Sequence, residues 1–276
     1  MNPHTKKPTS LVSLICSLWN NRQLIVQMTK REIVGRYKGS VMGLLWSFLN
    51  PVLMLVVYTF VFSVIFKARW GIGEDESKTQ FAVVLFVGMI VHGLLAEVLN
   101  RAPSLILGNV NYVKKVVFPL EVLPAISMGA ALFHSLISLI VLLVAFVIFN
   151  GFLHWTAIFI PLVLLPLVIL TLGLAWMLAS LGVFIRDIGQ SISIITTVMM
   201  FLAPVFFPIT ALPKVYHPII MANPLTFIIE QSREVLIWGH LPNWIGLGIY
   251  TMVAISVAWT GYAWFQKTRK GFADVL

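Results

Sequence analysis

The sequence is short of charge: Asp, Glu, Lys and Arg make up 11% of its 276 residues, and only 10 residues are acidic. A soluble domain carries about a quarter charged residues, so a water-exposed surface of ordinary composition is excluded. Cysteine occurs once, at Cys16, which rules out an intramolecular disulfide and any Cys-rich structural metal site. There is no G-x-x-x-x-G-K-[ST] run, so the chain does not by itself bind ATP in the P-loop manner, and coupling to nucleotide has to come through another subunit. H-E-x-x-H and G-x-S-x-G are missing too, and no carboxylate pair stands near a histidine at catalytic spacing. A cleaved signal peptide does not fit the opening stretch, because the first apolar run starts at residue 41 and is too long for such a leader.

What is present is apolar. Hydrophobic residues make up 59% of the chain and the mean hydropathy is +0.94. A helix rises about 1.5 Å per residue and the hydrocarbon core is about 30 Å thick, so each crossing takes about 20 mostly apolar residues. Six stretches meet or approach this: 41–66, 81–97, 123–149, 158–185, 191–209 and 244–265. The expected fold is therefore all-α and polytopic, with a cytoplasmic N-terminus over 1–40, a transmembrane domain over 41–268 and a cytoplasmic tail over 269–276.

Placing alternate loops on opposite sides puts 14 of the 19 cations on one face, among them Arg22, Lys30, Arg31, Arg36, Lys38, Arg101, Lys114 and Lys115. The carboxylates divide evenly. The positive-inside rule makes the basic face cytoplasmic, with both termini on it. Its charge suits anionic lipid headgroups, and topology accounts for the excess without a nucleic-acid partner.

Along the chain, Leu11, Leu14, Ile15 and Leu18 recur at amphipathic-helix spacing with Trp19 beside them. This reads as a helix lying in the cytoplasmic interface, or as one packed on the rest of the protein. The loop 67–79, with Glu74, Asp75 and Glu76, reads as a solvated outer turn. In 100–124, prolines at 103, 119 and 124 fence off a helix-like stretch, 105–116, which is either a docking element for a cytoplasmic partner or a link between two spans. Asp187 is expected to cap the fifth span while Arg186 snorkels.

Beyond residue 209 come two apolar pieces, neither long enough to cross. The second opens with Asn223 and Pro224, an N-cap followed by proline at the first helical position, and closes at Gly239. Unpaired backbone is tolerated at membrane depth only inside protein or beside a water-filled cavity. A re-entrant hairpin over 212–240 meets that condition, and a surface-lying helix is the other reading. Glu230, Arg233 and Glu234 share i, i+3, i+4 spacing and are expected to face water at an exit.

Within the first span Trp46, Asn50, Met54, Tyr58, Phe62 and Phe66 are successive i+4 neighbours and draw a stripe along one face. Phe201, Phe206 and Phe207 cluster near Pro204 and Pro208. Flat π faces with few charges bind the C–H faces of sugars or hydrocarbon and permit sliding, while interfacial belts and packing account for the same residues. Asn50 and Pro51 bring an amide and a helix breaker into the first span. His92, Glu97 and His134 are ionisable groups in or near spans; they are functional candidates because such groups are costly in lipid, or else hydrogen-bonded packing.

The run "RYKGSVMGLLWSFLNPVLMLVVYTFVFSVIF", together with "VNYVKKVVFPLEVLP", "FIRDI" and "ANPLTFIIEQSREVLIWG" in that order, resembles the permease subunits of polysaccharide ABC exporters. These are the type-2 exporters that move O-antigen, teichoic acid or capsular chains. The resemblance implies a non-enzymatic subunit that pairs with a second copy of itself and binds two ATPase subunits, which hold the ATP and Mg; this chain holds no cofactor. It also implies a channel for a polymer attached to a polyprenyl diphosphate. Trp46, Asn50, Tyr58, Phe62, Phe201, Phe206 and Phe207 then line the channel, while Arg31, Arg36 and Lys38 attract the lipid diphosphate. The resemblance makes 105–116 the helix that couples to the ATPase, through Leu105, Asn109, Asn111, Tyr112, Lys114 and Lys115. It makes 212–240 the outer gate, with Asn223, Pro224, Glu230, Arg233 and Glu234. Two other readings stand beside it: a type-2 exporter of a drug or small lipid, and a membrane-embedded transferase on polyprenyl-linked sugars that uses His92, Glu97 and Asp187.

Overall fold

The computed structural model describes residues 9–66, 70, 78–114 and 118–276. Among these there is no β-strand, and five helices are long and apolar enough to cross a membrane. Most of the loop expected at 67–79 lies outside the described residues.

The chain enters through α1 (Leu11–Asn20), capped by Ser10, whose Oγ accepts the Ser13 N–H at 3.2 Å. A second helix follows at once, α2 (Arg22–Tyr37), which the apolar pattern does not announce because its apolar and polar residues are not sorted to opposite faces. It lies on the first half of α6 (Leu123–Asn150), with Leu24, Ile25 and Met28 partly buried and the Thr29 hydroxyl donating to Ile126 O at 3.4 Å. Residues 38–44 form turns, so the first spanning helix, α3 (Leu45–Tyr58), begins four residues later than its apolar run. Pro51 sits inside it, and it continues as a π-helical segment over Thr59–Ile65.

The core is built around α4 (Lys78–Arg101), which packs against α3, α6, α7 (Ile160–Phe184) and α8 (Ile188–Phe201). Its most apolar window is 78% buried, against 11% in α3, so α4 is the central post and α3 a peripheral one. The closest helix pair is α7 with α11 (Trp244–Thr268). A side chain on Gly173 would meet the backbone of Ala258 at 2.6 Å, and one on Gly261 would run into the Gly173 carbonyl. Small residues on both helices let the backbones approach, as membrane helix pairs require.

Two expected elements differ. The stretch 191–209 is not one span: α8 has 14 residues, about 21 Å of rise, and the chain then turns through 202–207. Prolines 204 and 208 cannot donate to a helical ladder, and the carbonyls of Pro204 and Val205 are taken by a side chain described below. The stretch 105–116 is not one helix either. After 3-10 turns at Ala102–Ser104 and Leu107–Asn109 comes a five-residue helix, α5 (Val110–Lys114), and residues 115–117 lie outside the described ones.

Beyond α8 the chain runs through α9 (His217–Ala222) and α10 (Pro224–Arg233), which ends in a π-helical segment at Glu234–Trp238 and packs on α4 and α7. A short α12 (Phe272–Val275) closes the chain.

Overpacking a close contact costs about 1–3 kcal/mol. Gly261→Leu is therefore expected to lower the thermal unfolding midpoint of the detergent-purified protein, whereas Gly248→Leu, on the same helix and facing open space, leaves it unchanged. Equal effects of the two would show that the α7–α11 contact is not limiting.

Candidate functional site

A cleft of about 190 Å³ opens between α3, α4 and α6. Asn50, Met54 and Tyr58 line one wall, Phe86 and Glu97 a second, and His134 and Ser135 a third. The i+4 stripe thus faces the cleft over its middle stretch. Glu97 and His134, 37 residues apart in sequence, meet at its floor, where His134 Nδ1 lies 3.0 Å from Glu97 Oε1. Arg36 joins them from the end of α2, with Nη2 2.8 Å from Glu97 Oε1 and Nη1 2.8 Å from His134 Nδ1. One imidazole nitrogen can donate to the carboxylate or accept from the guanidinium, so the tautomer selects its partner. The Tyr37 hydroxyl lies 3.3 Å from Nε2.

One turn further along, Arg101 pairs with Glu32 at 2.5 Å. The two pairs run in opposite directions on α2 and α4, so the helices are antiparallel and joined by a double clasp. Arg36 was expected to be available to an anionic lipid. It is exposed and pairs with Glu97, since a carboxylate in apolar surroundings needs a nearby cation. Arg31 and Lys38 are exposed.

The remaining aromatic candidates separate. Trp46 is exposed and does not line the cleft. Phe62 stacks on Phe81 and on Phe206, with centroids 5.6 and 6.1 Å away, and Phe206 stacks on Phe201 at 5.6 Å. The two expected aromatic clusters therefore touch through Phe62 and Phe206. Phe207 is half-buried.

In the expected coupling segment, Leu105 and its neighbour Ile106 are buried in the core, so Leu105 offers no side chain to a partner. Asn109 is half-buried and donates to Leu105 O at 2.8 Å, and Tyr112 stacks on Phe118 at 4.4 Å. Asn111 and Lys114 are exposed, while Lys115 lies outside the described residues.

The acidic and basic residues of α10 do not face water together. Arg233 is fully buried. Its Nε donates to Val84 O at 3.2 Å, Nη1 to Pro204 O at 2.6 Å and to Glu230 at 2.9 Å, and Nη2 to Val205 O at 3.2 Å. The Trp70 ring covers it at 4.2 Å. Shared helical spacing puts residues on one face but does not say what that face meets; here it meets α4 and the turn after α8. The Glu230 carboxylate, 2.9 Å from Nη1, balances the charge of Arg233. Glu234 turns away to His240 at 2.6 Å. Asn223 caps α10, accepting the Leu225 N–H at 3.0 Å, and ties it to α8 through Met199 O at 2.8 Å, while the Pro224 carbonyl accepts from the Tyr250 hydroxyl.

His92 does not converge with Glu97; its Nε2 lies 3.0 Å from Thr196 O in α8, and Asn100 accepts from the Thr196 hydroxyl at 3.2 Å. Asp187 occupies the N-cap position of α8, yet its side chain makes no cap bond. The three residues proposed for transferase chemistry therefore stand in three separate places.

Sequence reasoning passed over Glu121, which is 3% exposed and holds the two chain ends together. Arg269 donates to it at 2.5 Å and the Ser17 hydroxyl at 3.1 Å, while Trp176 donates to its carbonyl at 2.9 Å. Nothing in its local pattern marks it, because its partners come from positions 17 and 269.

Removing one partner of a buried, hydrogen-bonded charge costs about 3–5 kcal/mol. Arg233→Ala is expected to abolish stable protein or cut its unfolding midpoint steeply, with Glu230→Gln milder; a thermal-shift series in detergent checks this. Gly88→Val presses on the same site, since a Cβ at Gly88 lies 3.2 Å from Arg233 Nη2 and 3.3 Å from Val205.

The chain is similar to an O-antigen export system permease protein RfbA of Myxococcus xanthus, 26% identical over 268 residues that cover 96% of this chain and all of the relative. It is similar to one of the same name from Klebsiella pneumoniae, 27% identical over 92% of this chain and 95% of the relative. It is also similar to the polysialic acid transport protein KpsM of Escherichia coli, 23% identical over 87% of this chain and 91% of the relative. Residues 23–237 match the ABC-2 type transporter family, which is most of the chain, and the protein belongs to that family.

Proposed function

We propose that this chain is the channel-forming membrane subunit of an ATP-driven exporter that carries a cell-surface polysaccharide, on a polyprenyl diphosphate, from the cytoplasm to the outer face of the inner membrane. The observation that carries the reading is the end-to-end match to relatives named for O-antigen export and polysialic acid transport. ATP hydrolysis belongs to a separate partner subunit, in keeping with the missing phosphate loop.

Several finer features belong to the same proposal. The crossing expected at 191–209 is made jointly by α8 and the folded-back segment through α9 and α10, which together act as a re-entrant outer gate. The turn at 202–207 supports this, because its carbonyls are satisfied by a buried guanidinium rather than by water. Helix α1 lies in the cytoplasmic interface, with Val12, Ile15 and Trp19 exposed on it. Both termini are cytoplasmic, in accord with the cation bias. A second copy of the chain covers the poorly buried face of α3, and two ATPase subunits dock below 102–114, where Asn111 and Lys114 are exposed. The contact of Phe62 with Phe206 supports a channel wall shared by α3 and the end of α8.

Deleting the gene is expected to remove the surface polysaccharide and leave polyprenyl-linked polymer inside the cell. Purification from the native membrane is expected to bring an ATPase with it. Unchanged surface polysaccharide, or a small amphiphile accumulating in its place, would return the chain to a drug or lipid exporter. Phe62→Ala and Phe206→Ala are expected to cut export about tenfold with normal membrane insertion, as each removes one face of an aromatic contact; full export in both would make the pair packing only.

A further inference from the structure

The cleft between α3, α4 and α6 holds more polar chemistry than the fold uses. Among the described residues the Asn50 amide, the Tyr58 hydroxyl and the Ser135 hydroxyl have no hydrogen-bond partner, yet all three line the same cleft. Asn50 is exposed and Tyr58 and Ser135 are half-buried, so all three groups are open to the cleft and can be met together by one ligand with several hydroxyls. The floor adds Glu97, whose Oε2 lies 3.2 Å from His134 Nδ1.

The charge balance favours one chemistry. Arg36 is neutralised by Glu97, and a phosphate at the floor would face that carboxylate, so the cleft is not built for an anion. Hydroxyl groups suit it, since they donate to the carboxylate and exchange hydrogen bonds with the amide and the two protein hydroxyls. Tyr58, half-buried with the Phe86 ring packed beside it at 6.4 Å, offers an apolar face for the C–H side of a sugar ring. At about 190 Å³ the cleft is smaller than the roughly 300–1,000 Å³ of pockets for drug-sized ligands, which limits it to about one ring. Tyr37, whose hydroxyl lies 3.3 Å from His134 Nε2, ends α2 and is followed by the exposed cation Lys38, so a charge that attracts a diphosphate enters the chain next to a residue in contact with the cleft wall.

We propose that this cleft binds the sugar residue nearest the lipid anchor of the exported chain, so that the subunit recognises a polyprenyl diphosphate only once it carries carbohydrate. The inference rests on the polysaccharide-export reading above and deepens it.

The test uses the full-length chain, purified with its ATPase partner and placed in lipid nanodiscs. Two radiolabelled probes are compared: undecaprenyl diphosphate, and the same lipid bearing one N-acetylhexosamine. The wild type is expected to retain the sugar-bearing probe about tenfold more tightly. Asn50→Ala, Tyr58→Phe and Ser135→Ala each remove one hydrogen-bonding group and are expected to weaken that probe about fivefold while leaving the bare lipid unchanged. Variants that weaken both probes alike, or neither, overturn the proposal. A wild type that holds both equally overturns it while sparing the export reading; one that holds neither overturns both.

Discussion

A guanidinium with no water around it constrains everything near it. Arg233 sits fully buried and satisfies three backbone carbonyls, one from α4 and two from the turn after α8, while Glu230 balances its charge. Each contact explains another feature. The turn at 202–207 leaves the helical ladder because its carbonyls have a partner elsewhere. The folded-back segment stays against the bundle because the arginine belongs to α10. Position 88 carries glycine because any side chain there would crowd both Val205 and the guanidinium. Ion pairs hidden from water contribute little net stability but are expensive to break, so such a junction specifies a geometry more than it strengthens the fold.

The other end of the bundle is held by charge as well, through different residues. Glu121, just before α6, gathers α1 and the C-terminal segment through its carboxylate and α7 through its carbonyl, and the double clasp of Glu32 with Arg101 and Arg36 with Glu97 ties α2 to α4. Between these polar ends the contacts are apolar and close. The burial of α4 and the exposure of α3 divide the molecule into a rigid interior and a face that presents itself to lipid or to another chain.

The long helices were legible because hydropathy over about 20 residues reports burial in lipid directly. Helix α6 runs Leu123–Asn150 where 123–149 was expected, and α11 begins at Trp244 as expected. The fifth span was misjudged, since a hydropathy window does not register that the carbonyls of Pro204 and Val205 are given to a side chain 28 or 29 residues away. Helix α2 went unseen because it is held by contacts to α6 rather than by a sorted apolar stripe. At the cleft, Glu97 and His134 were recognisable one by one as costly residues. Their meeting with Arg36 was not, because it depends on where α2 lies. The stripe through Asn50, Met54 and Tyr58 was readable as a face, and only the packing of α4 and α6 shows what that face encloses.

The shortness of α8 carries a further consequence. Its 14 residues rise about 21 Å, roughly 9 Å less than the hydrocarbon core of a bilayer. Bilayers accommodate a short apolar helix by thinning beside it. A helix this short leaves either the bilayer or the rest of the chain to make up the difference, and here the turn at 202–207, α9 and α10 follow directly upon it.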